Sequence, residues 1–209
     1  MNSLNHIAFI MDGNGRWGLK KKNSRNYGHK AGVKTVQKIV EASIQFKIPI
    51  ISFYVFSTEN WKRPSSEISY LFNLINIYFK REIQNIIKNE IKIVISGRLK
   101  TLPIKIKKIL KTAVSKTQKY NKLVVNLAIN YGSKNEIIDA VKKINYNSQK
   151  ITESQINNNL YSNLKFPDIL VRTGGQKRLS NFMLWQISYA EIFFLDKLWP
   201  EFTKKDLKK

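Results

Sequence analysis

Cysteine is missing from this 209-residue sequence, so a disulfide framework and a thiolate metal site are both excluded, and a reducing compartment fits. Histidine is nearly missing too. His6 and His29 are the only two, too few for a His-rich zinc site. No uninterrupted run of about 18 apolar residues occurs, and no basic region followed by a long apolar stretch opens the chain. Neither a membrane-spanning helix nor a secretory leader is expected, and the protein reads as cytoplasmic. Acidic residues are few: 14 Asp and Glu face 37 Lys and Arg, a formal net charge of +23. What is plentiful is apolar side chain, 43% of residues, enough over this length for one sizeable core and too little for two. One domain over 1–209 is the expectation.

A charge this large ordinarily puts nucleic acid first among partners. Its distribution argues otherwise. The excess comes from 30 Lys against 7 Arg, and the Lys are spread along the whole length among many Ile and Asn. Drift in an AT-rich coding sequence would give that pattern; the alternative is a selected attraction to an anionic membrane face or to anionic substrates. No nucleic-acid partner is expected. The scarce arginines are the more informative, because a planar guanidinium fork grips phosphate in a way that a point charge does not. Arg16, Arg63, Arg172 and Arg178 lie in polar clusters, and Arg25 sits between the first cluster and His29. Arg81 and Arg98 read as solvated surface charges.

Hydrophobic period places strands at Ile7–Met11, Ile50–Phe56, Lys92–Ser96, Leu123–Ile129, Ile169–Arg172 and Ile192–Leu195. Helical patterns fill the gaps over Lys30–Phe46, Ser65–Asn89, Pro103–Lys119, Ser133–Ile144 and Glu153–Tyr161. Such alternation predicts an α/β domain with a mainly parallel sheet covered on both faces. The Asn- and Ser-rich stretch from Asn145 to Asn163 reads as loose surface, although Thr152 to Leu160 within it reads as a capped helix. In the helix from Ser65, a core stripe of Leu71, Leu74, Ile75, Tyr78, Phe79, Ile83, Ile86 and Ile87 is widened by Ile68, Phe72 and Ile77. From pattern alone, a buried helix or a subunit interface accounts for this width better than a ligand tunnel. A wide apolar lining beside phosphate-type polar ends nonetheless fits an amphipathic ligand with an anionic head.

Three strand ends carry polar clusters: Asp12-Gly13-Asn14-Gly15-Arg16-Trp17, then Phe56 to Pro64, then Arg172-Thr173-Gly174-Gly175. Standing alone, the first reads equally as a phosphate loop and as a plain turn between strand and helix. In an open α/β sheet, however, ligands bind outside the carboxyl ends of the strands, so the three clusters could share one crevice. Asp12 offers a hard oxygen for Mg²⁺, the glycines bare N–H groups for anionic oxygen, and Arg16 a fork for phosphate.

Taken together, the clusters resemble the cis-prenyltransferases, the family that includes the bacterial undecaprenyl diphosphate synthases. The resemblance rests on His6 to Trp17, on Arg25 with Tyr27 to Gly32, on Phe56 to Pro64, and on Asn130-Tyr131-Gly132. It continues through Arg172 to Gly175, Arg178, Ser180-Asn181-Phe182, Trp185-Gln186 and Ala190-Glu191, and so covers His6 to about Phe202. It implies one α/β domain with a central six-stranded, mostly parallel sheet, an apolar tunnel beneath the site, and a homodimer. It also implies repeated condensation of isopentenyl diphosphate onto an allylic diphosphate, usually farnesyl diphosphate, with Mg²⁺ as cofactor and release of diphosphate. The expected product is undecaprenyl diphosphate, a lipid-carrier precursor for the cell wall, with transient contact at the inner membrane face as product leaves. A non-catalytic or decayed member acting as a binding or regulatory subunit is the alternative.

Carried over residue by residue, the resemblance puts the allylic diphosphate on Gly13, Asn14, Gly15 and Arg16, with Trp17, Arg25 and His29 nearby. Isopentenyl diphosphate is expected on Arg172, Arg178, Leu179 and Ser180. Asp12 and Glu191 are expected to hold Mg²⁺, and Asp12 and Asn60 to be catalytic, Asn60 at the proton-transfer step. An amide is a poor base, so Asn60 reads as positioning diphosphate oxygen or water. Ser57, Thr58, Glu59, Trp61 and Arg63 are further substrate-binding positions, on a segment that closes over substrate with Glu67 just beyond. Trp61 could face an allylic cation or simply pack. Val55 and Leu123 are implied tunnel positions, and Val55 is bulkier than the Ala common there. Gln176-Lys177 stands where an acidic residue and His are usual, and Arg98 where Asp is common. The sequence ends at Lys209, short of an Arg-containing C-terminal segment found in many members, and reduced activity is the expectation from that difference.

Overall fold

The computed structural model describes residues 4–144 and 150–209. Its strands are β1 (His6–Ile10), β2 (Ile50–Ser57), β3 (Ile91–Ser96), β4 (Leu123–Tyr131), β5 (Ile169–Arg172) and β6 (Glu191–Phe194). They form one six-stranded sheet in the order β3-β4-β2-β1-β5-β6, and each of its pairings is parallel. The sequence periods therefore located every strand to within two residues at either end. A parallel sheet needs cover on both faces, which is why its central strands are mostly apolar, with His6, Ser52 and Asn126 hydrogen-bonded to one another inside it. Alternate β1 residues serve different layers. Ile7 and Phe9 join the larger core with Phe53, Phe79, Leu110 and Trp199, whereas Ala8 and Ile10 join Leu170, Phe182 and Met183 on the opposite face.

The helices are α1 (Asn14–Lys22), α2 (Arg25–Gln45), α3 (Ser65–Lys88), α4 (Ile104–Thr117), α5 (Ser133–Lys143), α6 (Glu153–Asn159) and α7 (Lys204–Lys208). None of the described helices is long and apolar enough to cross a membrane. Two features correct the sequence expectation. Helix α1 begins inside the glycine segment, where a phosphate loop or a plain turn was expected, and α2 starts at Arg25 rather than Lys30, with Ser24 Oγ accepting the Tyr27 N–H. Both follow from close packing of α1 on α2. A Cβ on Gly28 would lie 1.8 Å from the Asn14 carbonyl oxygen, and one on Gly18 2.3 Å from that of Ser24. Thr152 caps α6 in a capping box with Gln155, as expected, while residues 145–149 of the Asn-rich stretch lie outside the described residues.

Arg98 is the third correction. It is not a free surface charge: its Nε and Nη2 each donate to the Asp139 carboxylate at 2.8 Å, and Tyr161 Oη donates to the same carboxylate. A bidentate pair between the β3–α4 connection and α5 thus occupies the position where the resemblance would put an acid.

Candidate active site

The sheet register brings the first and third clusters together. Ile10 pairs with Arg172, so Asp12, just beyond the end of β1, faces the end of β5. Arg172 Nη2 donates to Asp12 Oδ2 at 2.9 Å, and Arg16 Nη2 donates to Asp12 Oδ1 at 3.3 Å and to the Gly174 carbonyl at 2.7 Å. The Asp12 carbonyl in turn accepts from Thr173 Oγ1 and from the Trp199 N–H. Gly13 takes φ 104°, a left-handed value that turns the chain into α1 and aims its first N–H groups at the same crevice. Arg172 is buried and turned inward. Its Nη1 donates to Ser180 Oγ at 2.7 Å and to the Arg178 carbonyl, and its Nε has no partner among the described residues.

Glu67 is the hub of the second cluster, and sequence reasoning underrated it. Its side chain is only 9% exposed and accepts from Arg25 Nε at 3.0 Å and Nη2 at 3.3 Å, from Arg63 Nη1 at 3.0 Å and from His29 Nε2 at 3.0 Å. Burial alone would raise the Glu67 carboxyl, but hydrogen bonds from Arg25 and His29 outweigh it and hold the pKa below its ordinary value. Burial lowers the pKa of His29, more than the neighbouring carboxylate raises it, so a neutral ring donates to a charged Glu67. Three expected diphosphate ligands are thereby gathered on one internal anion. The available signal was the i,i+4 spacing of Arg63 and Glu67 at the start of α3.

Between β2 and α3 the chain makes a 3-10 turn, Thr58–Lys62, closed by a capping box between Ser57 and Asn60. The Ser57 N–H donates to Asn60 Oδ1 at 3.1 Å, which leaves the Asn60 Nδ2 without a partner among the described residues. Asn181 Nδ2 donates to Glu59 Oε1 at 3.0 Å, so Glu59 serves the turn's attachment to the β5–β6 connection. Trp61 packs edge-on against Phe56 with ring centroids 5.2 Å apart, and is 41% exposed.

A cavity of about 300 Å³ runs down from these groups. Asp12, Gly13, Asn14, Gly15, Arg16, Arg25, His29, Asn60 and Arg63 line its polar mouth, and Val33, Val36, Val55, Leu71, Leu74, Ile75, Tyr78 and Phe79 line its apolar body. The core stripe of α3 is divided between cavity and core: Leu71, Leu74, Ile75 and Tyr78 line the cavity, and Ile86 packs in the core. The residues that widen the stripe do not reach the cavity, since Ile68 and Phe72 pack with the core and Ile77 is exposed, so their width is that of a buried helix, as the pattern alone ranked first. Leu123 lies in the core at the start of β4, away from the cavity, and Leu127 and Ile129 further along the strand take the lining role. Trp199 and Tyr54 also line the cavity and were not singled out from sequence.

Several expected site residues stand away from it. Trp17 stacks on Tyr27 at 5.6 Å outside the cavity, and Leu179 packs against the smaller core. Arg178 is exposed, its Nη1 donating to Gln176 Oε1 at 2.8 Å. Glu191 pairs with Ile169 at the start of β6, whereas Arg172 pairs with Phe194 at its end, so Glu191 lies at the opposite end of the strands from Asp12. Among the described residues no three His, Asp or Glu side chains gather as a cation site. Asp12, partly exposed, offers a single carboxylate there, and Mg²⁺ is commonly held by one or two carboxylates together with substrate phosphates.

Comparison with known proteins decides the family. A prenyltransferase family model described as putative undecaprenyl diphosphate synthase matches residues 10–209. The chain belongs to the cis-prenyltransferase family. It is 42% identical to an isoprenyl transferase of Fusobacterium nucleatum over 100% of this chain and 91% of that one. It is 44% identical to an isoprenyl transferase of Rickettsia bellii, over 99% and 92% of the respective chains. Among solved structures it is similar to lavandulyl diphosphate synthase from Lavandula x intermedia in complex with dimethylallyl diphosphate, with a TM-score of 0.94, 27% identity, and 98% and 92% coverage. A probable undecaprenyl diphosphate synthase from Campylobacter jejuni gives a TM-score of 0.85 at 38% identity, over 100% and 93% of the two chains. As a cis-prenyltransferase the chain is an enzyme that condenses isopentenyl diphosphate onto an allylic diphosphate, and the six-stranded α/β fold is that of its solved relatives.

Proposed function

We propose that this cis-prenyltransferase extends farnesyl diphosphate with successive isopentenyl diphosphate units to a long cis-polyprenyl diphosphate, undecaprenyl diphosphate. One observation carries the reading: a cavity whose mouth holds Arg16, Arg25, His29 and Arg63 around Asp12 and whose body is apolar. A diphosphate head and a hydrocarbon tail match its two halves. The near-full-length identity to isoprenyl transferases supports the same substrate class.

In the proposed reaction the allylic carbon–oxygen bond breaks and its electron pair leaves with the diphosphate. Arg16, Arg25 and the first N–H groups of α1 stabilise the charge that develops there. The double bond of isopentenyl diphosphate attacks the allylic carbon, and a proton then leaves the condensed chain. Asn60 Oδ1 is committed to the Ser57 N–H, so its free Nδ2 orients a diphosphate oxygen or water that takes the proton. Asp12 would hold Mg²⁺ together with diphosphate oxygens. When bound, that ion supplies Lewis-acid stabilisation of the leaving group's charge. Isopentenyl diphosphate would occupy Arg178 and Ser180, with Arg172 holding Ser180 and Asp12 in place.

A homodimer forming over the β6 edge belongs to the same proposal. All four β6 residues are exposed, Ile192, Phe193 and Phe194 among them, and Tyr189 before them is fully exposed. An unpaired apolar edge strand is stable when another chain covers it. Glu191 lies on this edge and would meet a second copy before its own Asp12. The product's tail would leave toward an anionic membrane surface, which the chain's +23 charge favours.

The test is incubation with farnesyl diphosphate, labelled isopentenyl diphosphate and Mg²⁺, followed by chromatography of butanol-extractable products. A long-chain product that disappears with chelator is expected. Absence of any product longer than the primer would sink the reading.

A further inference from the structure

The Asn130-Tyr131-Gly132 segment at the end of β4 touches no part of the cavity, and the reaction described above gives it no role. Its surroundings do. Trp61 Nε1 donates to Asn130 Oδ1 at 2.8 Å, while Asn130 Nδ2 donates to the Arg98 carbonyl at 2.7 Å and to Thr101 Oγ1 at 2.7 Å. An indole N–H can only donate and a peptide carbonyl can only accept, so one orientation of the amide satisfies both. Asn130 itself is 4% exposed and left-handed, with φ 52°, a conformation that asparagine tolerates far better than most side chains.

The base of this post is rigid. The Arg98 N–H donates to the Asn130 carbonyl, a Cβ on Gly97 would lie 2.0 Å from the Ile129 carbonyl oxygen, and the Arg98 guanidinium is locked on Asp139. Two residues on, the same strand end receives the other side of the Thr58–Lys62 turn. A Cβ on Gly132 would stand 2.7 Å from both Thr58 Oγ1 and Asn181 Nδ2, so only glycine lets Thr58 and the Asn181–Glu59 hydrogen bond come this close. The turn is therefore held at Thr58, at Glu59 and at Trp61, and the residue between the last two is Asn60, whose amide lines the cavity.

We propose that Asn130 is a positioning residue for prenyl transfer: by accepting the Trp61 indole N–H it fixes the Thr58–Lys62 turn and thereby aims the Asn60 amide into the cavity. The proposal rests on reading that cavity as the site of the reaction. Displacement of a catalytic group by about 1 Å costs roughly 100-fold in rate, whereas Arg16 and Arg25, which bind the allylic diphosphate in the proposed reaction, are anchored elsewhere, on Asp12 and Glu67. The signature is thus a loss in kcat with little change in KM.

The experiment uses Asn130→Gly, which keeps the left-handed backbone free of strain and removes only the side chain, together with Trp61→Phe and the double variant. Asn130→Gly is expected to lower kcat about 10- to 100-fold with KM for farnesyl diphosphate within about twofold, and the double variant is expected to be no slower than the slower single one. The indole is followed separately, as the part of the tryptophan emission lost in Trp61→Phe. Asn130→Gly should make that component about twice as quenchable by acrylamide and should change nothing in the Trp61→Phe background. A kcat within twofold of the parent, losses that multiply in the double variant, or unaltered quenching would each overturn the proposal. Were the parent protein to make no prenyl product, the proposed function would fail while the quenching measurement still decided the Asn130–Trp61 link.

Discussion

The Arg25 guanidinium meets the Glu67 carboxylate side-on, Nε 3.0 Å from Oε2 and Nη2 3.3 Å from Oε1, while the same Oε1 also accepts from His29 and Arg63. One carboxylate therefore offsets one of two guanidinium charges and holds Arg25, Arg63 and His29, the proposed diphosphate groups, together at the cavity mouth. Glu67→Gln should lower stability by about 1–3 kcal/mol through lost charge-assisted hydrogen bonds. Inorganic diphosphate should raise the melting temperature of the variant more than that of the parent. Equal shifts in thermal unfolding would count against this arrangement.

Acid should destabilise the fold in two stages. Burial depresses His6 from 6.5 to about 4, and also lowers His29, so the unfolded chain takes up these protons first and stability declines as pH falls below about 6.5. The His6 part amounts to about 3 kcal/mol, lost by pH 4. Glu67, depressed below its ordinary value, contributes stability that is present above about pH 4.5 and is lost as pH falls through its folded value. Urea unfolding across pH 4–7 should show this slope, and His6→Asn should flatten it; an equal slope in that variant would refute the assignment.

Asp12 has a structural task beside its proposed chemical one. Arg172 is 3% exposed and has Asp12 as its only carboxylate partner among the described residues, so Asp12→Ala leaves a buried guanidinium without its counter-charge. A loss of about 2 kcal/mol is expected with the loss of product, whereas Asp12→Asn should stay within about 1 kcal/mol of the parent and still make no product. Chemical denaturation beside the turnover assay separates the two effects.

Chain length should respond to the cavity wall. Replacing Ile75 by Trp fills the apolar body below the mouth and should shorten the product by at least one five-carbon unit, read directly by chromatography. Each such unit contributes about 3–4 kcal/mol of apolar burial, so long products leave slowly. Detergent should therefore raise steady-state turnover by accepting product; rates indifferent to detergent would contradict slow release.

How much was legible beforehand differs by element. The strands were readable because a parallel strand such as Ile7 to Ile10 is buried on both faces and shows it as an unbroken apolar run. Helix α1 was not, because Asn14 to Lys22 has two glycines and almost no apolar stripe; its helix exists through the glycine contact with α2, a tertiary fact. Asp12, Arg16, Asn60 and Arg63 could be picked out as polar residues at strand ends, Arg25 as a scarce arginine and His29 through the resemblance, and all six line one cavity. Glu67 reads in sequence as an ordinary acid in the first turn of a helix, and nothing local says that two arginines and a histidine converge on it. Trp199 lies 187 residues after Asp12, and only the folded chain reveals that its N–H holds the Asp12 carbonyl.

Arg172 carries a mechanical consequence. Its guanidinium is a flat, stiff plate with Asp12 fastened along one edge and Ser180 and the Arg178 carbonyl along another. A tilt imposed at the carboxylate is a tilt delivered to the serine, because the plate cannot bend between them. The first strand end and the loop after the fifth are therefore two ends of one lever, and they move together.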